Sequence, residues 1–396
     1  MDAGAIPNPA GDSLRRLGES NEPPGLYIHI PFCLSKCPYC DFYSSTDLTA
    51  IPDFLAALRR EMSLNEGFKS GFDTVYIGGG TPSLLSQTLL DRLIGDILTA
   101  FTIASDAEIT VEVNPGDTTA GRLTALRRAG VNRLSIGCQS FDDGALAFLG
   151  RRHRADQAVE AIHRTRDAGF ENLGIDLIYG LPGPYGDAFA TWLDTLRTAL
   201  AFRPEHLSCY QLTVETGTPL ADRVRKGEIA LPDPGFQSRY FHRTAAILEE
   251  AGYRHYEVSN FAQGDRFRSR HNSKYWNHTP YLGLGPAAHS FDGRRRRWNH
   301  RSIAAYLKEL AAGKPPTAES ELLSDEALRL ESLFLGLRTR RGIDLAGFKR
   351  RYGEDLLVEK EEILKKLKED KFVEIRNGFL MPTRAGMAVA DSLALI

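Results

Sequence analysis

Tyr27-Ile-His-Ile-Pro-Phe-Cys33-Leu-Ser-Lys-Cys37-Pro-Tyr39-Cys40-Asp-Phe-Tyr43 is the stretch from which the rest of this chain is read. Three cysteines fall within eight residues, in the spacing C-x3-C-x2-C, directly after a short apolar run, Leu26 to Ile30, that reads as a strand. Thiols this close together share a metal site or a reactive role, because three exposed free thiols serve no packing purpose. Three ligands leave one coordination position open, as a catalytic metal centre requires. Soft thiolates suit both zinc and iron–sulfur clusters. Zinc usually recruits two separated pairs, and here there is no second C-x2-C; Cys138 and Cys209 stand far away and alone. The better reading is a cluster with three cysteine-bound irons and one free iron. A structural zinc knuckle and a redox dithiol are the plainer alternatives.

With Tyr39 just before the last cysteine, the motif resembles the cluster motif of the radical S-adenosylmethionine (radical SAM) enzymes. That resemblance implies a [4Fe-4S] cluster on Cys33, Cys37 and Cys40, its free iron chelated by SAM. It also implies that an electron from the reduced cluster splits SAM into methionine and a 5′-deoxyadenosyl radical. The context Y-I-H-I-P-F-C-x3-C-x-Y-C-D-F is similar to the coproporphyrinogen-dehydrogenase-like branch of that superfamily.

The chain has 396 residues, enough for one large domain and a smaller one. Its 42% hydrophobic and 25% charged residues are those of an ordinary globular protein. A net charge of −2 gives no general affinity for nucleic acid or anionic membrane. Five cysteines, three of them clustered, make no disulfide framework and point to a reducing compartment. No apolar run reaches the roughly 18 residues of a membrane span. Residues 1–24, rich in Gly, Pro, Ala and Asn, lack the apolar region of a secretory signal and read as a mobile tail. The expected location is the cytoplasm.

Beyond the cysteines, apolar strands alternate with amphipathic helices. A helix over Ile51 to Asn65 precedes the strand Thr74 to Ile77 and the run Gly78-Gly-Gly-Thr-Pro82. A helix over Gln87 to Phe101 leads to the strand Glu108 to Val113, and the helix Thr119 to Ala129 ends at Gly130, as a terminating glycine would have it. Strand Arg133 to Ile136, helix Ala155 to Ala168, strand Leu173 to Ile178, helix Ala188 to Ala201 and strand His206 to Leu212 complete six strand–helix units. Such alternation predicts a parallel sheet with helices outside. Pattern alone does not separate an open barrel from a doubly wound sheet. The family resemblance implies a partial (β/α)6 TIM-like barrel.

In a barrel, chemistry sits at the C-terminal ends of the strands. The polar residues that look out of place fall there: Gly78 to Thr81, Glu112, Gln139, Asp176 and Gln211. Singly, each is as readily a cap or a structural hydrogen-bond partner; five on one rim point to a site. Glycine lets backbone groups approach a ligand closely. Gly78-Gly-Gly-Thr-Pro resembles the motif that grips the SAM amino group, with Thr81 in the place of an acidic residue. By that resemblance Tyr27, Gly79, Gly80, Thr81, Glu112, Gln139, Arg151 and Asp176 are SAM contacts, and Tyr39 and Gln211 are weaker matches. An Arg can pair a carboxylate through two hydrogen bonds, and an Asp can take the hydroxyls of a ribose.

From about Pro234 the pattern changes. A helix, Phe236 to Ala251, precedes Arg270-His-Asn-Ser-Lys-Tyr-Trp-Asn277 and the glycine-rich Tyr281 to His289. The plain reading of the first run is a packed loop with a satisfied imidazole. It also resembles the H-N-x-x-Y-W motif of the HemW family of heme chaperones, which implies heme contacts at His271, Asn272, Tyr275 and Trp276. Imidazole is a usual heme-iron ligand, and aromatic faces suit a porphyrin plane. Arg294 to Arg297 read first as a solvated turn, with a dock for heme propionates as the functional alternative.

Lys314-Pro-Pro-Thr317 reads as a linker. After it come an amphipathic helix (Ser324 to Leu337), a helix over Leu356 to Glu369, and the strands Phe372 to Ile375 and Phe379 to Met381 around Asn377-Gly378, a strong hairpin signal. This predicts a small winged-helix-like α+β domain over 314–396, after a radical SAM barrel with its heme-motif extension over 25–313. Its segment Asp355 to Asp370 carries six acidic and four basic residues, which speaks against DNA binding. The resemblance as a whole implies a heme chaperone holding a [4Fe-4S] cluster, SAM and heme. Its partners would be heme-accepting proteins, some at the membrane, and an electron donor for the cluster. The alternative is oxygen-independent coproporphyrinogen III dehydrogenase. Against it stand Phe42, where that enzyme has a fourth cysteine, and the mere 32 residues before Cys33.

Overall fold

Six strands with apolar side chains on one face and polar ones on the other lie side by side in chain order. In the computed structural model, which describes residues 22–66, 71–182 and 188–393, these are β1 (Gly25–Ile30), β2 (Phe72–Gly79), β3 (Ile103–Val113), β4 (Arg133–Gln139), β5 (Leu173–Tyr179) and β6 (His206–Gln211). Each is parallel to the next. All but its last three residues of the tail read over 1–24 lie outside the described residues.

Strand side chains alternate between faces, and the register decides which go where. Leu26, Ile28, Val75, Ile77, Val111, Leu134 and Ile175 share one face and are buried in a single core with Leu58, Leu93 and Leu126 of the surrounding helices. Burying each such side chain contributes about 1.5–3 kcal/mol. The opposite, inner face is polar: Tyr27 pairs across to Tyr76, Thr74 to Glu108, and Asp176 to Ser208. The apolar half of each strand thus holds the helices on, and the polar half is left to line the barrel.

The helices start and stop where local chemistry says. Ser86 accepts the Leu89 N–H to cap the helix Gln87–Ala100, and Thr119 caps Ala120–Arg128 through Arg122 N–H. Gly130 and Gly169 follow helix ends with φ of 97° and 82°. A helix not foreseen, Asp143–Phe148, follows β4 under an Asp142 cap.

The sheet does not end with six strands. Beyond β6 lies the hairpin of β7 (Arg254–Glu257) and β8 (Asn260–Ala262). On the other flank, β9 (Tyr281–Leu284) runs parallel to β1, followed antiparallel by β10 (His289–Phe291), β11 (Arg295–Asn299) and β12 (Thr317–Leu322). The strand order is β12-β11-β10-β9-β1-β2-β3-β4-β5-β6-β8-β7, with free edges at both ends: a partial barrel.

Two expectations are corrected here. Arg294–Arg297 is no solvated turn. Three of these residues open β11, and Arg296 pairs with Glu321 at 3.0 Å and Glu331 at 2.6 Å. The stretch 314–317 is not a boundary either. His300 N–H donates to Pro316 O at 3.0 Å, and the chain runs straight into β12 of the large sheet. The second core therefore begins after Leu322. It packs Leu333, Leu337, Phe348, Leu364 and Leu380 around the three-stranded sheet β13 (Ile343–Asp344), β15 (Phe379–Pro382) and β14 (Val373–Arg376). Asn377 and Gly378, both at positive φ (52° and 79°), make the expected hairpin turn. The helix read over 356–369 is two helices, Leu356–Glu359 and Glu361–Glu369, parted at Lys360.

Candidate functional site

The cysteine loop leaves β1 at its C-terminal end and is tied down on both sides. Cys33 N–H donates to Ser45 O at 3.0 Å and Ser45 N–H to Pro31 O at 2.7 Å. Gly80 N–H donates to Ile30 O and Thr81 N–H to Phe32 O, at 2.8 and 2.7 Å. Glycine is obligatory at two adjoining positions. A Cβ at Gly79, whose φ is +104°, would lie 2.5 Å from the His29 ring; one at Gly80 would lie 2.6 Å from Phe32 O. The glycines were expected to leave backbone free for a ligand. Their first task is to let β2 close on the cysteine loop; the Gly80 N–H is spent on Ile30 O and the Gly79 N–H on the Glu112 carboxylate. A ligand ammonium would need the carbonyls here.

A cleft with about 500 Å³ of empty space opens above, lined by Cys33, Cys37, Cys40, Tyr39, Thr81 and Arg151, with Gly79 and Gly80 at its floor. Eight residues expected at one site therefore do meet. Asn114, Arg152 and Ser44 also line the cleft. They lack any signal in the sequence beyond lying next to residues that were singled out. All three cysteines are free and half-buried, Thr81 Oγ1 donates to Cys33 Sγ at 3.5 Å, and burial raises the pKa of the Cys40 thiol. Cys138 and Cys209 are buried in the main core, away from the cleft.

Arg151 tests whether a thiolate-bound cluster fits. Its Nη1 lies 3.7 Å from Cys37 Sγ and its Nη2 donates to Gly137 O at 2.8 Å, while its buried Nε has no partner. No carboxylate pairs with this cation among the described residues. A partly buried guanidinium beside Cys37, in a cleft that holds two more thiols, would be matched by the negative charge of a thiolate-ligated cluster and of a carboxylate bound with it. The residues fit the group.

Beneath the cleft, the inner face holds the remaining acids. Glu112 accepts Tyr76 O–H at 2.7 Å and Gly79 N–H at 3.1 Å; burial pushes its pKa up to about 7. Asp176 accepts Ser135 Oγ on both oxygens, at 3.1 and 3.0 Å, and burial raises it too. Tyr27 O–H meets His29 Nδ1 at 2.9 Å. Gln139 sits at the end of β4 with φ +67°, and Gln211 ends β6 opposite Tyr179. Tyr76 and Ser135, which hold the two acids, were missed. Their signal was the alternation that faces them inward with Tyr27 and Asp176.

His271, Asn272, Tyr275 and Trp276 lie elsewhere. The plain reading made this run a packed loop; it is a helix, Arg270–Trp276, across the end of the barrel opposite the cysteine cleft. Glu108, near the bottom of the inner face, accepts the N–H of Arg270 and of His271, and Lys274 pairs with Asp73 at 2.7 Å. His271 is buried, with Nδ1 on Thr74 Oγ1 and Nε2 on Tyr275 O–H, each at 2.9 Å. Its ring stacks on Tyr76 at 5.2 Å, and burial pushes its pKa down to about 3. Asn272 N–H caps onto Ser269 Oγ, and the Trp276 ring lies 5.6 Å from the Arg338 guanidinium. Here the plain reading, a satisfied imidazole, describes the structure. Ligation of iron by His271 would require Nε2 to leave Tyr275.

Residues 27–196 match the model of the radical SAM superfamily, and residues 323–389 match that of the HemN C-terminal domain, which starts just where β12 ends. A heme chaperone HemW of Mycobacterium tuberculosis is 37% identical over 94% of this chain and 94% of its own. Another, of Bacillus subtilis, is 34% identical over 93% and 97%. A bovine mitochondrial protein named for its radical S-adenosyl methionine domain is 33% identical over 100% and 90%. The solved structure of coproporphyrinogen III oxidase (HemN) from Escherichia coli superposes with a TM-score of 0.81, covering 97% of this chain and 92% of that one, at 23% identity, a likeness of fold.

Proposed function

Since the chain belongs to the HemW family of the radical SAM superfamily, we propose that it is a heme chaperone, carrying a [4Fe-4S] cluster and SAM and passing heme to acceptor proteins. The observation that carries this reading is end-to-end similarity to proteins named heme chaperones, combined with an intact three-thiol cleft. When bound, the cluster and SAM supply one-electron chemistry.

The chain's own residues do the rest. Cys33, Cys37 and Cys40 would hold the cluster. Arg151 balances the charge beside Cys37 and offers its unpartnered Nε toward a carboxylate. Glu112, held by Tyr76, and Asp176, held by Ser135, are fixed acceptors on the inner face for the amino and ribose ends of SAM. Tyr39, Gln139 and Gln211 complete the rim, and Tyr27 adds a hydroxyl from the inner face below it. An external electron donor would dock against the cysteine loop, which is exposed at Leu34 and Phe42.

The rival, coproporphyrinogen III dehydrogenation, is not favoured: the side chain two residues after Cys40 is Phe42, which stands 66% exposed and ligates nothing. Hemin titration of the full chain, paired with an anaerobic assay on coproporphyrinogen III with reduced cluster and SAM, tests the proposal. Stoichiometric hemin binding and unchanged coproporphyrinogen are expected. Oxidative decarboxylation of the porphyrinogen would support the rival, and absence of hemin binding would overturn the chaperone reading.

A further inference from the structure

If the helix Arg270–Trp276 closes the far end of the barrel, the heme of the proposed function needs another seat. The sheet beyond β1 offers one. Gly283 pairs with Tyr27, and Tyr281 pairs with both Gly25 and Phe291, so the inner face continues through β9 and β10. His289, two residues before Phe291, is on that face, and Trp298 pairs with it across to β11. Their rings stack, 5.7 Å between centroids at 25°.

Four histidines stand on strands: His29, His206, His255 and His289. The first three are buried and hydrogen-bonded, to Tyr43 O, Tyr256 O–H and Val258 O. His289 is exposed, and neither of its ring nitrogens has a hydrogen-bond partner among the described residues. Partial burial and the cations Arg296 and Arg301 lower its pKa, against the opposing pull of Glu321, and so favour the neutral imidazole. An open, neutral imidazole backed by an indole face has the chemistry of a heme ligand rather than of a packing residue.

The pair also has a tether to the cluster. Arg301, just after β11, donates to both the backbone and the carboxylate of Asp41, and Ile303 N–H donates to Tyr43 O–H at 2.7 Å. Between these anchors the exposed Phe42 stands on the cysteine loop. A porphyrin beside His289 would have apolar surface toward the loop and the Arg301 guanidinium for a carboxylate arm.

We propose that His289, stacked on Trp298, is the axial ligand of the heme this chain carries, with Arg301 receiving a propionate. This rests on the heme-chaperone reading. The test is titration of hemin into the full wild-type chain and its His289→Ala, His289→Cys, Trp298→Ala and His271→Ala variants, following the Soret band. His289→Ala is expected to weaken binding about tenfold or more and to shift the band. His289→Cys is expected to recover binding with a thiolate-type spectrum, which no structural role would produce. Trp298→Ala weakens binding and leaves the imidazole spectrum, and His271→Ala lowers the melting temperature with the spectrum intact. Native affinity and spectrum in His289→Ala overturn this assignment alone. A wild type that binds no hemin overturns the chaperone reading and the assignment with it.

Discussion

The carboxylate of Glu108 accepts the backbone N–H of His271 at 3.1 Å across 163 residues of chain, and that of Arg270 at 3.2 Å with its other oxygen. One strand residue thus holds the first turn of the helix that closes the barrel. Replacing Glu108 by Ala leaves two N–H groups without their acceptor in a buried setting and is expected to cost about 1–3 kcal/mol. Thermal unfolding measures this. Iron content should be unchanged, because the cysteine loop is at the other end.

Alanine at Cys33, Cys37 or Cys40 should each abolish most of the iron and sulfide bound after anaerobic reconstitution. Alanine at Cys138 or Cys209 should not, since both are buried in the main core and burial raises their pKa strongly. Full iron content in Cys37→Ala would be incompatible with the assignment.

Asp176→Ala should weaken SAM binding by about 1.5–3 kcal/mol, the worth of a charge-assisted hydrogen bond. Ser135→Ala should weaken it less, because Ser135 only orients the carboxylate through contacts of 3.0 and 3.1 Å. Calorimetry on protein with an intact cluster separates the two; equal affinities in all three proteins would remove Asp176 from the site.

Glu257, buried at the end of β7, has its pKa pushed by burial from 4.5 to about 7, against the hydrogen bonds it receives around Ser259 and Asn260. A carboxyl with a raised folded-state pKa binds its proton more tightly in the folded protein. Its contribution to stability is complete below about pH 4.5 and is lost as pH rises through about 7. Glu257→Gln should therefore gain on the wild type across that window, by on the order of 3 kcal/mol in total, and run parallel to it above. Urea unfolding at several pH values checks this; a constant offset would show that Glu257 titrates normally.

The six strand–helix units were legible because their outer faces are apolar at the right period and their helices close on Gly130 and Gly169. The rim acids were legible for the complementary reason: Glu112 and Asp176 interrupt runs that otherwise pack. Three features were not. Arg295–Asn299 and Thr317–Leu322 have no apolar strand signal, and they are strands because a neighbour's ladder takes their backbone groups. The run Arg270–Trp276 has no amphipathic period; Ser269 and Glu108 start its helix from outside. The place of His271 was unreadable because its partner Thr74 lies 197 residues away.

The continuity of β12 with the large sheet also governs where this chain can be cut. Severing it at the Pro315–Pro316 pair would strip β11 of the strand to which it is paired from Arg295 to Asn299. The row of N–H and C=O groups so exposed, flanked by Trp298, would be a template for another copy's strand, and such a fragment should aggregate. A cut after Leu322 keeps that edge covered by Glu319 and Glu321, whose charges repel a second strand of the same kind. Solubility of the two fragments would thus read out, without any spectroscopy, which half of the protein owns residues 317–322.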